Sequence, residues 1–154
     1  MIRPVRILPH AAAAVLLAAC AAGTGGSSYV APLQQPGDAE VLANAMAEFV
    51  AGRLPAAAST VAFAPTPAEQ AGNAVTGAFA SALRRRGFAV AEGGQPPPAR
   101  AHRLRYLVTP MDNGNLVRLT IDDSTQGARF FARDPAGGLR SGGPYTVTQA
   151  ENTP

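Results

Sequence analysis

The sequence predicts an α+β fold: two helices packed on one face of a mostly antiparallel sheet of about five strands. Three observations predict it. Apolar residues recur at three- and four-residue spacing in two stretches before residue 90, the period changes to two after residue 100, and turn residues punctuate the second half at Asn113-Gly114 and Asp122 to Gly127. The 154 residues give room for one core, and no internal repeat is visible. The expected organisation is a signal segment over 1–19, a cysteine and flexible linker over 20–37, and a single domain over 38–150.

The first helix is expected from Asp38, a capping residue, with Val41, Leu42, Ala45, Met46, Phe49 and Val50 as its apolar stripe and Gly52 to Pro55 as its end. Thr60 to Ala64 reads as a short strand between prolines. The second helix is expected at Thr66-Pro67-Ala68-Glu69, where threonine can cap, proline fits the first turn and glutamate can complete a capping box. Its stripe is Ala71, Val75, Ala78, Phe79, Ala82 and Leu83. Arg84 to Arg86 then sit at the negative end of the helix, and Gly87 can take the left-handed cap. Phe88 to Ala91 follows as a strand.

Gly93 to Ala99 is a proline-rich break. Beyond it Leu104, Tyr106 and Val108 alternate with Arg103, Arg105 and Leu107, and Val117, Leu119 and Ile121 alternate with Leu116, Arg118 and Thr120. The Asn113-Gly114 pair between these runs signals a hairpin. In the next run Ala128, Phe130 and Ala132 alternate with Arg129, Phe131 and Arg133, and a last short strand is expected at Tyr145 to Thr148. With the first member of each alternation turned to the helices, Arg103, Arg105, Arg118, Arg129 and Arg133 share the outward face, with Leu107, Leu116 and Phe131 among them.

Ahead of this domain, Met1 to Arg6 carries two arginines and no acid, and Ala11 to Ala19 is a short uncharged apolar run ending in small residues. That is the grammar of a secretory signal, and the run is too short for the ~20 apolar residues of a spanning helix. Leu17-Ala18-Ala19-Cys20 resembles the lipobox of bacterial lipoproteins. The resemblance implies that Cys20 receives lipid, including palmitate, and becomes the N-terminus after cleavage. Because Ala21, not aspartate, follows, it also implies the outer membrane, facing the periplasm. An ordinary signal cleaved after Ala21 is the alternative. Ala21 to Gly37 has the composition of a tether, although Tyr29, Val30 and Leu33 could dock on a partner.

All 13 basic residues are arginine, against 10 acids, for a net charge of +3. Arg3 and Arg6 belong to the expected signal, which holds no acid, so 11 arginines face 10 acids afterwards and the net charge falls to +1. A nucleic-acid partner is therefore not expected. Catalysis and metal binding also lack an inventory: Cys20 is the single cysteine, His102 stands alone once His10 is discounted, and no serine sits in a nucleophile-elbow context. Gly137-Gly138 and Gly142-Gly143 lack the lysine and hydroxyl of a phosphate-binding loop. Asp112, Asp122, Asp123 and Asp134 read as turn residues. The expectation is no catalytic residue, no metal, no cofactor and no small-molecule substrate. The outward face with Arg103, Arg105, Arg118, Arg129, Phe131 and Arg133 has two readings. One is a solvated face; the other is a partner surface, since arginine among apolar and aromatic side chains is enriched in interfaces.

The order of lipobox, polar linker, Ala-rich helix, TPAEQAGNAVTGAFASALRRRGFAV (Thr66 to Val90), RYLVTPMDNGNLVRLTI (Arg105 to Ile121) and ARFFARDPAG (Ala128 to Gly137) resembles the TrbH conjugal transfer lipoproteins of plasmid mating-pair systems. The resemblance spans Asp38 to Gln149. It implies a non-enzymatic assembly component of a type IV secretion apparatus, with the membrane (through the anchor) and other secretion-complex proteins as partners. An accessory lipoprotein of another envelope machine, such as a transport auxiliary or cell-wall-synthase activator, is the alternative.

Overall fold

The computed structural model describes residues 26–91 and 96–150; the expected signal segment and Cys20 lie outside them. Along the chain run β1 (Tyr29–Val30), α1 (Asp38–Ala51), β2 (Thr60–Phe63), α2 (Ala74–Arg85), β3 (Ala89–Val90), β4 (His102–Met111), β5 (Gly114–Ile121), β6 (Thr125–Arg133), β7 (Leu139–Ser141) and β8 (Thr146–Gln149). Short 3-10 turns occupy Ala56–Ala58 and Ala68–Gln70.

The α+β class holds, but the sheet is mixed and, among the described residues, has eight strands instead of about five. Its main path is β3-β2-β4-β5-β6-β7, and only the β4-β5-β6 meander with β7 and β8 is antiparallel. β2 runs parallel to β3 and to β4, and β1 runs parallel to β4. The parallel part arises because each helix is a crossover: α2 links β2 to β3, and α1 links β1 to β2, which follow one another along the same edge of β4. β6 is likewise flanked by two short strands, β8 along its first half and β7 along its second. The short strands expected at Thr60 to Ala64, Phe88 to Ala91 and Tyr145 to Thr148 are present as β2, β3 and β8, whereas β1 and β7, of two and three residues, carry too little alternation to be read from a sequence.

The segment read as a tether is partly domain. Ser28 is fully buried; its N–H donates to Pro65 O (2.8 Å) and its Oγ accepts from Tyr106 N–H (3.2 Å). Gln70 closes the other side of β1, its amide donating to Val30 O and accepting from Val30 N–H.

α1 buries Ala39, Leu42, Ala43, Met46, Phe49 and Val50 as its spacing requires, while Val41 is exposed. Asp38 is its first residue, not its cap: the buried carboxylate accepts from Gln35 N–H and pairs with Arg133 of β6 at 2.7 Å. α2 does not begin at Thr66. Ala68–Gln70 makes only a 3-10 turn, Gly72 takes a left-handed conformation, and Asn73 caps the helix by accepting from Thr76 N–H at 2.9 Å. Ala71 is therefore exposed, and Val75, Phe79, Ala82 and Leu83 form the buried stripe. Gly87 ends the helix with positive φ, and Phe88 N–H donates back to Leu83 O at 3.1 Å.

Between helices and sheet, Phe63, Phe79 and Tyr106 pack with ring centroids 5.2–6.0 Å apart. Full burial of side chains such as Leu42, Phe79 and Leu104 contributes about 1.5–3 kcal/mol each. The Tyr106 hydroxyl bonds to the Thr76 hydroxyl, and burial raises its pKa above the ordinary tyrosine value.

β6 carries the largest correction. Only Asp122 to Ser124 separate Ile121 from its partner Thr125, so Gly127 lies opposite Leu119, Arg129 opposite Val117 and Phe131 opposite Asn115. Paired residues of antiparallel strands share a face. The odd-numbered residues of β6 therefore face the helices, and Phe131 is 1% exposed while Phe130 is 38% exposed. The alternation in the sequence, by contrast, places Ala128, Phe130 and Ala132 inward. The difference is one of parity: a loop running to Gly127 is longer than the observed turn, and a shift of one residue turns every side chain over. Asp122 and Asp123, both with positive φ, make the tight turn, closed by Ser124 N–H donating to Ile121 O. The other hairpin also moves by one residue, with Met111 paired to Gly114 and Asp112-Asn113 as the loop.

Candidate functional site: the uncovered face of the sheet

Among the described residues, the helices cover one side of the meander and leave the other without a second layer. Register fixes what the uncovered side presents. Arg103, Arg105, Leu107 and Met111 project there from β4, Leu116 and Arg118 from β5, and Phe130 from β6; Tyr29 of β1 stands beside Leu107, and Arg140 of β7 beside Ala132. Leu107 is paired with Arg118 and Leu116 with Phe130, so Tyr29, Leu107, Leu116 and Phe130 form an apolar diagonal between arginines.

Tyr29 is 44% exposed, Met111 50% and Phe130 38%. The two other large hydrophobic side chains that are similarly exposed among the described residues, Val41 and Val147, lie on α1 and on the helix side of β8. Charge is also one-sided. Arg105 Nε stands 4.0 Å from the Asp123 carboxylate, and Arg140 pairs with Asp134 at 2.6 Å, which lowers the Asp134 pKa. Arg103 and Arg118 form no ion pair among the described residues.

The six residues expected on one partner surface are thus divided. Arg103, Arg105 and Arg118 are on the uncovered face, whereas Arg129, Phe131 and Arg133 are on the helix side. There the Arg129 guanidinium lies between the rings of Phe131 (5.4 Å) and Tyr145 (5.3 Å), and Tyr145 packs on Phe49 at 4.5 Å. Arg53 stacks over Phe49 at 3.6 Å. Arg133 is held by both oxygens of Asp38 and by Gly137 O, and the bond to Asp38 raises its pKa. These three residues serve the core. Tyr29 is already among the residues read as able to dock on a partner, but Met111 and Phe130 escape the sequence reading as surface residues; the parity of a two- or three-residue loop is the signal that could have found Phe130.

His102 is not isolated: its Nδ1 lies 2.6 Å from Asp122 Oδ2, and Asp122 Oδ1 accepts from Arg103 N–H at 2.7 Å. The pair ties the start of β4 to the β5–β6 turn. Beside the start of β4 a cleft of about 1120 Å³ lies between α2 and the β2–β3 pair, lined mostly by small and apolar residues such as Ala64, Gly77, Ala80 and Pro98, together with Arg84 and Arg103. Among the described residues no three His, Cys, Asp or Glu side chains converge, and no helix is long and apolar enough to cross a membrane.

Fold and face together define a small one-sided α+β domain with an exposed arginine and apolar surface. The chain belongs to the TrbH family: the model of conjugal transfer protein TrbH matches residues 23–151, most of the sequence. The resemblance seen in its phrases is borne out, and the chain is a conjugal transfer component. No curated protein and no solved structure matches it.

Proposed function

We propose that the chain is a non-enzymatic outer-membrane lipoprotein, anchored through lipid on Cys20 and facing the periplasm, that assembles with other proteins of a conjugative type IV secretion apparatus. The family supplies the process. Leu17-Ala18-Ala19-Cys20 supports the anchor. The family also supports the assembly role, and the observation that carries a docking role for the domain is the uncovered face, where Tyr29, Met111 and Phe130 stay exposed beside Arg103 and Arg118. A monomer that needed only solubility would have no use for such a patch. No catalytic residue and no cofactor enters this reading.

The test is a donor strain carrying the gene as wild type, deleted, or Cys20→Ser. Wild-type protein should incorporate labelled palmitate and fractionate with the outer membrane. The serine variant should lose both properties, and both mutants should transfer plasmid less often. Mating at wild-type frequency after deletion, or an unlabelled wild-type protein, would overturn the proposal.

A further inference from the structure

We infer that the uncovered sheet face lies on the anionic surface of the membrane that anchors the chain, with both helices turned away from the bilayer. The inference rests on the reading of Cys20 as the lipid-bearing residue and adds what that anchor does to the domain: it sets the face down on lipid.

The described residues begin on this face. Gly26 lies against Arg105, so closely that a Cβ there would meet Arg105 Nη1 at 3.1 Å and Cδ at 3.2 Å. Arg105 projects from the uncovered face, since its neighbours Leu104 and Tyr106 are fully buried under the helices. The hydrogen bonds of Ser28 to Pro65 and Tyr106 then fix the entry into β1. The chain therefore reaches the domain from the uncovered side.

The reach from Cys20 to the domain is also short. Cys20 precedes Gly26 by six residues, and an extended chain covers at most about 3.6 Å per residue, about 20 Å in all. Five neighbouring strands at about 4.8 Å spacing span a comparable width. A tether no longer than the face is wide, attached on that face, keeps the face close to the bilayer.

The side chains of the face suit a lipid surface. Tyrosine favours the depth of lipid headgroups, phenylalanine inserts at the boundary between headgroups and acyl chains, and arginine binds phosphate with two parallel hydrogen bonds. The face offers both, through Tyr29, Phe130 and Met111 with Arg103, Arg105 and Arg118. A second copy of the chain, docked face to face, would bring arginines against arginines. An anionic bilayer complements them, and the tether already holds it near.

The experiment uses full-length lipidated protein purified from membranes and reconstituted on vesicles of phosphatidylethanolamine and phosphatidylglycerol, or of phosphatidylcholine alone. The sequence has no tryptophan, so Tyr29→Trp provides a single indole reporter on the face. Flotation with either vesicle reports the anchor. The emission of that indole and its quenching by headgroup-proximal spin-labelled lipid report the face. On the anionic vesicles the emission should be blue-shifted and quenched. Arg103→Ser, Arg105→Ser and Arg118→Ser together should lower the docked-to-free ratio by roughly two orders of magnitude, at about fivefold for each arginine, without loss of flotation. Should the triple variant fail to melt cooperatively, Arg118→Ser alone should give the fivefold loss.

Failure of the Tyr29→Trp protein to float would sink the anchor reading. Flotation with an unquenched, solvent-like indole would overturn the membrane-face inference alone and leave the face to an acidic protein partner. Equal quenching on phosphatidylcholine, unaffected by the arginine substitutions, would overturn the anionic contact.

Discussion

Gly127 is the position where the register of β6 can be tested most directly. It lies opposite Leu119 on the helix side, and a Cβ added there would sit 2.3 Å from Phe49 Cε2 and Cζ. Phe49 is 3% exposed and cannot swing into solvent freely, because Arg53 stacks over its ring at 3.6 Å and Tyr145 packs beside it at 4.5 Å. Gly127→Ala should therefore force a shift of α1 or of the ring, with an overpacking cost of about 1–3 kcal/mol. At on the order of 4 °C per kcal/mol for a domain of this size, the melting temperature should fall by about 4–12 °C. Phe49→Leu removes the obstructing atoms and is destabilising on its own. The double variant should be less destabilised than the sum of the two by about 1–2 kcal/mol, as neighbouring sites couple. Chemical denaturation of all four proteins measures this cycle. If Gly127 instead pointed outward, alanine would be neutral or stabilising, since glycine weakens a strand interior. A neutral Gly127→Ala, or additive costs, would refute the register.

Adjacent phenylalanines give a second test. Phe131→Ala should cost about 3–5 kcal/mol in urea unfolding, whereas Phe130→Ala, on the exposed side, should change stability little. Burial raises the pKa of both Tyr106 and Tyr145, so above pH ~10 the unfolded chain ionises these phenols while the native one resists. Stability should be unaffected below that pH and fall as pH rises through the alkaline range. The 295 nm absorbance of these two residues should appear with unfolding, and Tyr106→Phe with Tyr145→Phe should flatten the decline. Asp38→Ala should lower the melting temperature more than Arg140→Ala, because Asp38 is 2% exposed and holds Arg133 whereas the Arg140 side chain is 77% exposed; equal effects in a thermal melt would mean the Asp38–Arg133 pair is not needed by the fold.

What is legible in the sequence follows the length of the signal. α1 announces itself over four turns through Leu42, Met46, Phe49 and Val50, and β4 and β5 through six strictly alternating core residues from Leu104 to Ile121. β1 and β7, of two and three residues, carry no period and are missed, while β3 is foreseen at Phe88 to Ala91 but not its parallel pairing; β1 and β3 are two of the strands that make the sheet mixed. The helix start at Thr66 is a local motif outweighed by tertiary demand. Gln70 is needed to bond β1 and Asn73 to cap, so the segment between turns twice before the helix begins. The candidate face is half legible, because Arg103, Arg105 and Arg118 follow from alternation within strands, while the side of Arg129, Phe131 and Arg133 depends on loop parity.

That parity also sorts the arginines by task. With no lysine in the chain, every cationic contact falls to arginine, and composition cannot say which guanidinium is structural. Geometry can. Arg53 and Arg129 lie against aromatic rings and Arg133 against a buried carboxylate, all on the helix side, so their stems and planes are already committed to packing. Arg103 and Arg118 have no carboxylate partner among the described residues and lie beside apolar side chains that no second layer covers. Substitutions in the two sets should therefore separate: the first should lower the melting temperature, and the second should leave it near wild type while changing what the face can hold. An arginine scan in which both sets behaved alike would mean that the division of the sheet into a covered and a working side is wrong.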